Sequence, residues 1–189
     1  ELEAIGTNAH ELPMIYSALT DTDSELAAAP YEVLANWQKE YDGNLKIILP
    51  DTYGSEIFFK NAPDWLAQWT GVRIDSGNPI LGAETALRWW SSKGEDTTKK
   101  LLIFSDGLDV NAIEMLYARF SSSARLSFGW GTMLTNDFRG LGIHLEANPM
   151  SLVCKAVNAN GRPTVKISDD FGKVLGQASD LNRYKRVFV

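Results

Sequence analysis

The sequence predicts an α/β fold: a partial β/α barrel with parallel strands, plus a C-terminal antiparallel hairpin. Three observations carry this expectation. Short apolar runs alternate with segments of helical periodicity, which calls for parallel βαβ units. Each run ends in a polar or glycine-bearing loop, the arrangement that gathers functional groups at the carboxyl ends of barrel strands. Over residues 155–166 the rhythm breaks, and an apolar run, then Asn158, Asn160, Gly161 and Pro163, then TVKIS, reads as a hairpin. A doubly wound sheet would also satisfy the first two observations.

The elements follow in order. Leu2, Ala4 and Ile5 read as the end of a buried strand, met without a methionine or a polar lead-in. The chain is therefore expected to open mid-fold, with an N-terminal portion missing. After the loop GTNAHE, Leu12, Met14, Ile15 and Leu19 fall at helical spacing. Residues 21–29 are polar and small, and Pro30 is expected in the first turn of a helix carrying Val33, Leu34, Trp37 and Tyr41 along one face. LKIIL at 45–49 reads as a strand, and residues 57–69 as helical material interrupted at 61–63. Strands are expected at 71–74, 99–104 and 125–128, with helices at 83–90 and 110–120 between them. The tail from 178 reads as a short helix. Residues 1–150 are taken as the barrel portion carrying the site. Residues 151–189 are taken as a closing hairpin and helix, in the same domain or against the missing N-terminal domain.

Composition excludes several functions. A net charge of −6 and no run of lysine and arginine remove the electrostatic footprint of a nucleic-acid binder, so any anion site must be local. Apolar runs are only a few residues long and no signal-peptide pattern opens the chain, so no membrane segment is expected and a cytoplasmic protein is the default. The single cysteine, Cys154, lies in an apolar run and is expected to be a small buried hydrophobe in a reducing compartment. Two histidines and one cysteine do not supply a zinc set, and no Walker loop, nucleophile elbow or GxGxxG is present.

The strand ends offer His10 with Glu11, Asp51 with Thr52, Arg73 with Asp75, Ser105 with Asp106, and Gly129 with Gly131. Parallel neighbouring strands would turn all of these toward one mouth. Glycine-flanked amides and small hydroxyls, here Gly131, Thr132 and Thr135, suit a terminal phosphate, while carboxylates beside them suit ribose hydroxyls or a metal ion. A phosphorylated sugar is the simplest common ligand. Asp75, with Asp51, is suited to stabilise positive charge on a sugar ring whose anomeric bond breaks, or else caps the helix beginning near Pro79. Arg73 in a short apolar strand must meet a ligand anion or an internal carboxylate. His10 is suited to be a general base or phosphate acceptor oriented by Glu11, or else packs at a helix start. Five of the tryptophans, at helical spacings, are expected in the core; Trp130, between the loop glycines, walls the site or packs beneath it. His144 carries no assignment.

Together, GTNAHE at 6–11, LPDTYG at 49–54, VRIDSGNP at 72–79, IFSDGLD at 103–109 and SFGWGTMLTND at 127–137 resemble nicotinate phosphoribosyltransferase in motif, order and spacing, and NANGRPTVKISDD at 158–170 is similar to that family's closing hairpin. The similarity covers nearly the whole chain but only the second half of the family's length. It implies an irregular α/β barrel joined to an N-terminal domain, dimeric, with sites completed across the subunit interface. It implies formation of nicotinate mononucleotide and diphosphate from nicotinate and phosphoribosyl diphosphate, with ATP hydrolysis coupled to turnover and Mg2+ accompanying the co-substrates. His10 would be phosphorylated by ATP. Asp51, Arg73 and Asp75 would line the ribose and base region, and Ser105, Asp106, Gly131 and Thr132 would hold the 5′-phosphate. Asn78 makes DSGN, similar to nicotinamide-using relatives, whereas GTNAHE is similar to the nicotinate branch. A partial chain would depend on its missing half or a homodimer partner and be inactive alone. The alternative is a non-catalytic binding or assembly subunit that keeps the sugar-phosphate site.

Overall fold

The computed structural model describes residues 4–135 and 152–189. Four parallel strands, β1 (Ile47–Ile48), β2 (Gly71–Ile74), β3 (Leu101–Phe104) and β4 (Arg125–Phe128), form one sheet in chain order. That order has no reversal, which is the arrangement of successive barrel strands; a doubly wound sheet turns back at a switch point. Helices α1 (Glu11–Ala18), α2 (Asp23–Glu40), α3 (Ser55–Asn61), α4 (Pro79–Ser92), α5 (Val110–Phe120), α6 (Thr132–Thr135) and α7 (Ala178–Phe188) connect or flank the strands. The predicted hairpin is present as β5 (Asn158–Ala159) and β6 (Arg162–Pro163), antiparallel. Its turn places Asn160 at φ 51° and Gly161 at φ 81°, the left-handed pair that suits a two-residue hairpin loop.

Alternation along the strands gives the sheet two unlike faces. Val72, Ile74, Leu102 and Phe104 enter the main core with Phe58, Phe59, Trp89, Trp90, Leu116 and Phe120 of the helices. Arg73, Ile103, Ser105 and Ser127 instead line an open cleft on the other face. The strands also approach closely, since a Cβ on Gly71 would sit 2.4 Å from the Leu101 carbonyl oxygen. Only glycine fits there.

A second core holds the C-terminal segment against the barrel. Val165 and Ile167 point into a cluster with Leu26, Tyr53, Tyr184 and Phe188, and the Phe188 ring stacks on Tyr53 at 4.4 Å. On the same segment the amides of Ile167 and Ser168 both donate to the Thr52 carbonyl, at 3.0 and 3.2 Å. The segment is thereby stapled to the loop that follows β1.

Several sequence expectations need correction. Ala4 and Ile5 are exposed and form no strand; of this stretch only Thr7 bridges Ile47, so the described residues hold four parallel strands and not five, while Leu2 lies outside them. Residues 45–49 contribute only Ile47 and Ile48, because residues up to Leu45 close a 3-10 turn and Pro50 has no N–H for the ladder. Pro30 lies inside α2, which starts seven residues before it: Thr22 and Glu25 form a capping box. That T-x-x-E signal was present in a stretch that reads as polar and small. Cys154 is exposed, as are Leu152, Val153 and Val157, since residues 152–157 join no strand. The expected boundary near residue 150, Asp137 and His144 all lie outside the described residues. Among the described residues no helix is long and apolar enough to cross a membrane.

Candidate active site

The loops that follow the strands, together with α1 and the C-terminal segment, enclose a cleft of about 540 Å³ lined by His10, Arg73, Asp75, Ser105, Asp106, Gly129, Gly131, Thr132, Lys155 and Lys173. All the strand-end residues singled out from the sequence are there except Asp51 and its neighbour Thr52. Asp51 lies one layer deeper, with 2% of its surface exposed.

His10 precedes the first turn of α1 and is itself buried. Its Nε2 lies 2.8 Å from Asp51 Oδ1. An ionised carboxylate can only accept, so Nε2 carries a proton and donates it to Asp51. Nδ1 is 3.8 Å from Asp75 Oδ2, beyond hydrogen-bond reach, and has no hydrogen-bond partner among the described residues. The other Asp51 oxygen accepts from the Ser76 hydroxyl at 2.5 Å, with Lys166 Nζ 4.0 Å away. Burial pushes the Asp51 carboxyl up, but the His10 contact, the Ser76 hydroxyl and the Lys166 charge outweigh this and bring it to about 2. Glu11 does not orient the imidazole as expected from its adjacency. It points along α1 to Lys155 at 3.0 Å, because consecutive helical residues face different directions.

Arg73, Asp75 and Ser105 form a triangle on the neighbouring strands. Arg73 Nη2 donates to Asp75 Oδ1 at 2.6 Å, Arg73 Nε to Ser105 Oγ at 2.8 Å, and the Ser105 hydroxyl to Asp75 Oδ1 at 2.8 Å. Arg73 thus has an internal carboxylate and at the same time faces both clefts of the open sheet face. Asp75 is not the helix cap. Asn78 is, accepting from the amides of Ile80 and Leu81 ahead of α4, with Pro79 in its first turn. Asp109 caps α5, which leaves Asp106 to pair with Lys173 at 2.9 Å.

The glycine loop that ends β4 reaches the same cleft. Gly129 is tightly placed, since a Cβ there would lie 3.0 Å from the Ser105 Cβ. Gly131 is not: its φ is ordinary and nothing lies within 4 Å of the Cβ position. The bare backbone faces open space beside Thr132. Trp130 packs against the main core and lines the open sheet face, and is not among the residues lining the cleft of His10 and Gly131. Trp37, Trp65, Trp69, Trp89 and Trp90 belong to the core as expected.

Sequence reasoning missed Ser76 and the three lysines of the C-terminal segment. Ser76 stands inside the DSGN motif, and Lys166 sits between Val165 and Ile167, an alternation that usually turns a lysine to solvent.

Comparison with known proteins agrees with this arrangement. A sequence profile described as the nicotinate phosphoribosyltransferase (NAPRTase) family matches residues 1–189. The crystal structure of nicotinate phosphoribosyltransferase from Porphyromonas gingivalis is similar at 29% identity and a TM-score of 0.85, covering 100% of this chain and 48% of that one. The nicotinate phosphoribosyltransferase from Vibrio cholerae is similar at 35% identity and a TM-score of 0.84, covering 99% of this chain and 44% of that one. The chain spans about half the length of these solved relatives. With a profile match from end to end and the strand-end motifs gathered at one cleft, the chain belongs to the nicotinate phosphoribosyltransferase family.

Proposed function

We propose that the cleft binds the phosphoribosyl group in the synthesis of nicotinate mononucleotide and diphosphate from nicotinate and phosphoribosyl diphosphate, a reaction of NAD salvage. The observation that carries this is the pairing of His10 and Asp51, which leaves an imidazole nitrogen free at a cleft whose far wall is the unfilled backbone at Gly131. The amides of Gly131 and Thr132 are suited to the 5′-phosphate. Ser105 and Asp106 support that wall indirectly, through Arg73 and Lys173. Asp75 faces the ribose and is suited to stabilise the positive charge that grows as the anomeric carbon–oxygen bond breaks. Asp51 acts through His10.

ATP enters as a co-substrate. The free Nδ1 of His10 attacks the γ-phosphorus, a nitrogen–phosphorus bond forms, the bond to the β-phosphate oxygen breaks and ADP leaves. Asp51 holds the remaining ring proton and stabilises the loaded ring. Mg2+ arrives on the phosphates of the substrates. Among the described residues, His10, Asp51 and Asp75 are the one group of such atoms close together, and both Asp51 oxygens and one of Asp75's are already committed to hydrogen bonds. That set does not fit an ion that prefers six oxygen ligands.

The chain's share of its relatives' length supports a site completed elsewhere, by the rest of the family's chain or by a partner subunit, with this portion inactive by itself. DSGN does not favour a nicotinamide-using reading, because the Asn78 side chain is spent on capping α4. Exposure to ATP labelled in the γ-phosphate tests the proposal. Acid-labile label is expected on the protein and absent from His10→Gln; label that survives this substitution refutes the assignment.

A further inference from the structure

Lys166 is a buried lysine that the cleft itself does not use. It is 4% exposed, lines none of the clefts described, and among the described residues its ammonium has no hydrogen-bond partner. Its one close charge is Asp51 Oδ2 at 4.0 Å. An ammonium so placed costs several kcal/mol in lost hydration, so its presence calls for a reason.

The backbone shows how it is held. Along 164–168 the side chains alternate: Val165 and Ile167 enter the second core, while Lys166 and Ser168 turn toward Asp51 and Ser76 in the strand-end loops. Lys166 exchanges both backbone hydrogen bonds with Leu175, and the next two amides are fastened to Thr52, the neighbour of Asp51. Ser168 sits at φ 67°, a left-handed conformation costly for serine, and its hydroxyl lies 3.2 Å from that of Ser76, the same serine that donates to Asp51. The C-terminal end of the segment is therefore fixed on the residues around Asp51.

The charges around His10 divide into pairs. From α1, Glu11 has Lys155; from β2 and its loop, Asp75 has Arg73; from the loop after β3, Asp106 has Lys173. Asp169, behind the site, is held by both Ser55 donors, and burial pushes its carboxyl up toward the neutral form. Asp51 alone would have no cation but His10. We infer that Lys166 is the counter-charge of Asp51, a positioning residue that keeps the His10 ring neutral so that Nδ1 retains its lone pair. Without it, a buried carboxylate would draw a second proton onto the imidazole, and an imidazolium cannot attack phosphorus. Burial, with repulsion from Lys155 and Lys173, works against the Lys166 charge, and Asp51 and Asp75 sustain it.

The functional value of this arrangement rests on His10 being the phosphoryl acceptor, but its test needs no ATP. Imidazole resonances of the complete protein are followed through a pH titration, with His10 assigned by its loss in His10→Gln. In Lys166→Met the second protonation of His10 is expected to move to higher pH, since the positive charge beside Asp51 is gone. Lys166→Arg is expected to restore it. A folded Lys166→Met whose His10 titration is unchanged overturns the inference. If Lys166→Met does not fold, the coupling is read in reverse: in Asp51→Asn the ε-methylene signal of Lys166 must titrate at lower pH than in the parent, and an unmoved signal is equally fatal.

Discussion

Asp51 Oδ1 and His10 Nε2 meet at 2.8 Å across 41 residues of chain, inside a protein layer that leaves 2% of the aspartate and 4% of the histidine exposed. The contact joins the loop after β1 to the start of α1 and selects which imidazole nitrogen faces the cleft. Asp51→Asn keeps the shape but removes the charge that fixes the ring proton. Labelling of the protein by γ-labelled ATP is expected to slow at least tenfold, with the circular dichroism spectrum retained.

The same aspartate sets a pH dependence of stability. Its carboxyl is drawn down from 3.8 to about 2. A carboxylate whose folded value is depressed stabilises the protein fully above its unfolded value and loses that contribution as pH falls through the folded one. The window is therefore about pH 4 down to about pH 2, and the contribution about 2 kcal/mol. Urea unfolding at pH 6 and at pH 2 is expected to show a smaller loss on acidification for Asp51→Asn than for the parent.

Much of this arrangement was legible in the residues. The strands at 71–74 and 125–128 and the hairpin at Asn160-Gly161 carry strong local signals, alternation or a turn that demands positive φ, and they stand where expected. α2 starts earlier than expected because Pro30 also suits a first helical turn, whereas the capping box of Thr22 and Glu25 sets the start and Pro30 lies in the interior. At the site, residue types were readable and partnerships were not. Glu11 is adjacent to His10 in sequence, yet Asp51 is its partner in space. Lys166 could not be read at all, because its burial follows from the two apolar neighbours that dock on α7 and not from anything in the lysine.

The register of β2 against β3 depends on Gly71, opposite Leu101. Gly71→Ala places a methyl carbon against a backbone oxygen that cannot rotate away. A loss of about 3 kcal/mol is expected, seen as a marked drop in thermal midpoint. An unchanged midpoint would mean that the two strands are not paired as described.

Phe188 closes the second core over Tyr53, two residues from Asp51. Phe188→Ala is expected to cost about 3 kcal/mol by denaturant unfolding. Because Tyr53 and the Thr52 carbonyl anchor the Lys166 segment, the variant is also expected to bind phosphoribosyl diphosphate more weakly.

The cleft between His10 and Gly131 is proposed to receive the phosphoribosyl group. A crystal of the protein soaked with phosphoribosyl diphosphate and Mg2+ tests it directly. The 5′-phosphate is expected within hydrogen-bond reach of the Gly131 and Thr132 amides, with the ribose toward Asp75. Phosphate density in the separate cleft of about 240 Å³ lined by Ser55, Asn78 and Asp169, or none at saturating ligand, would contradict it.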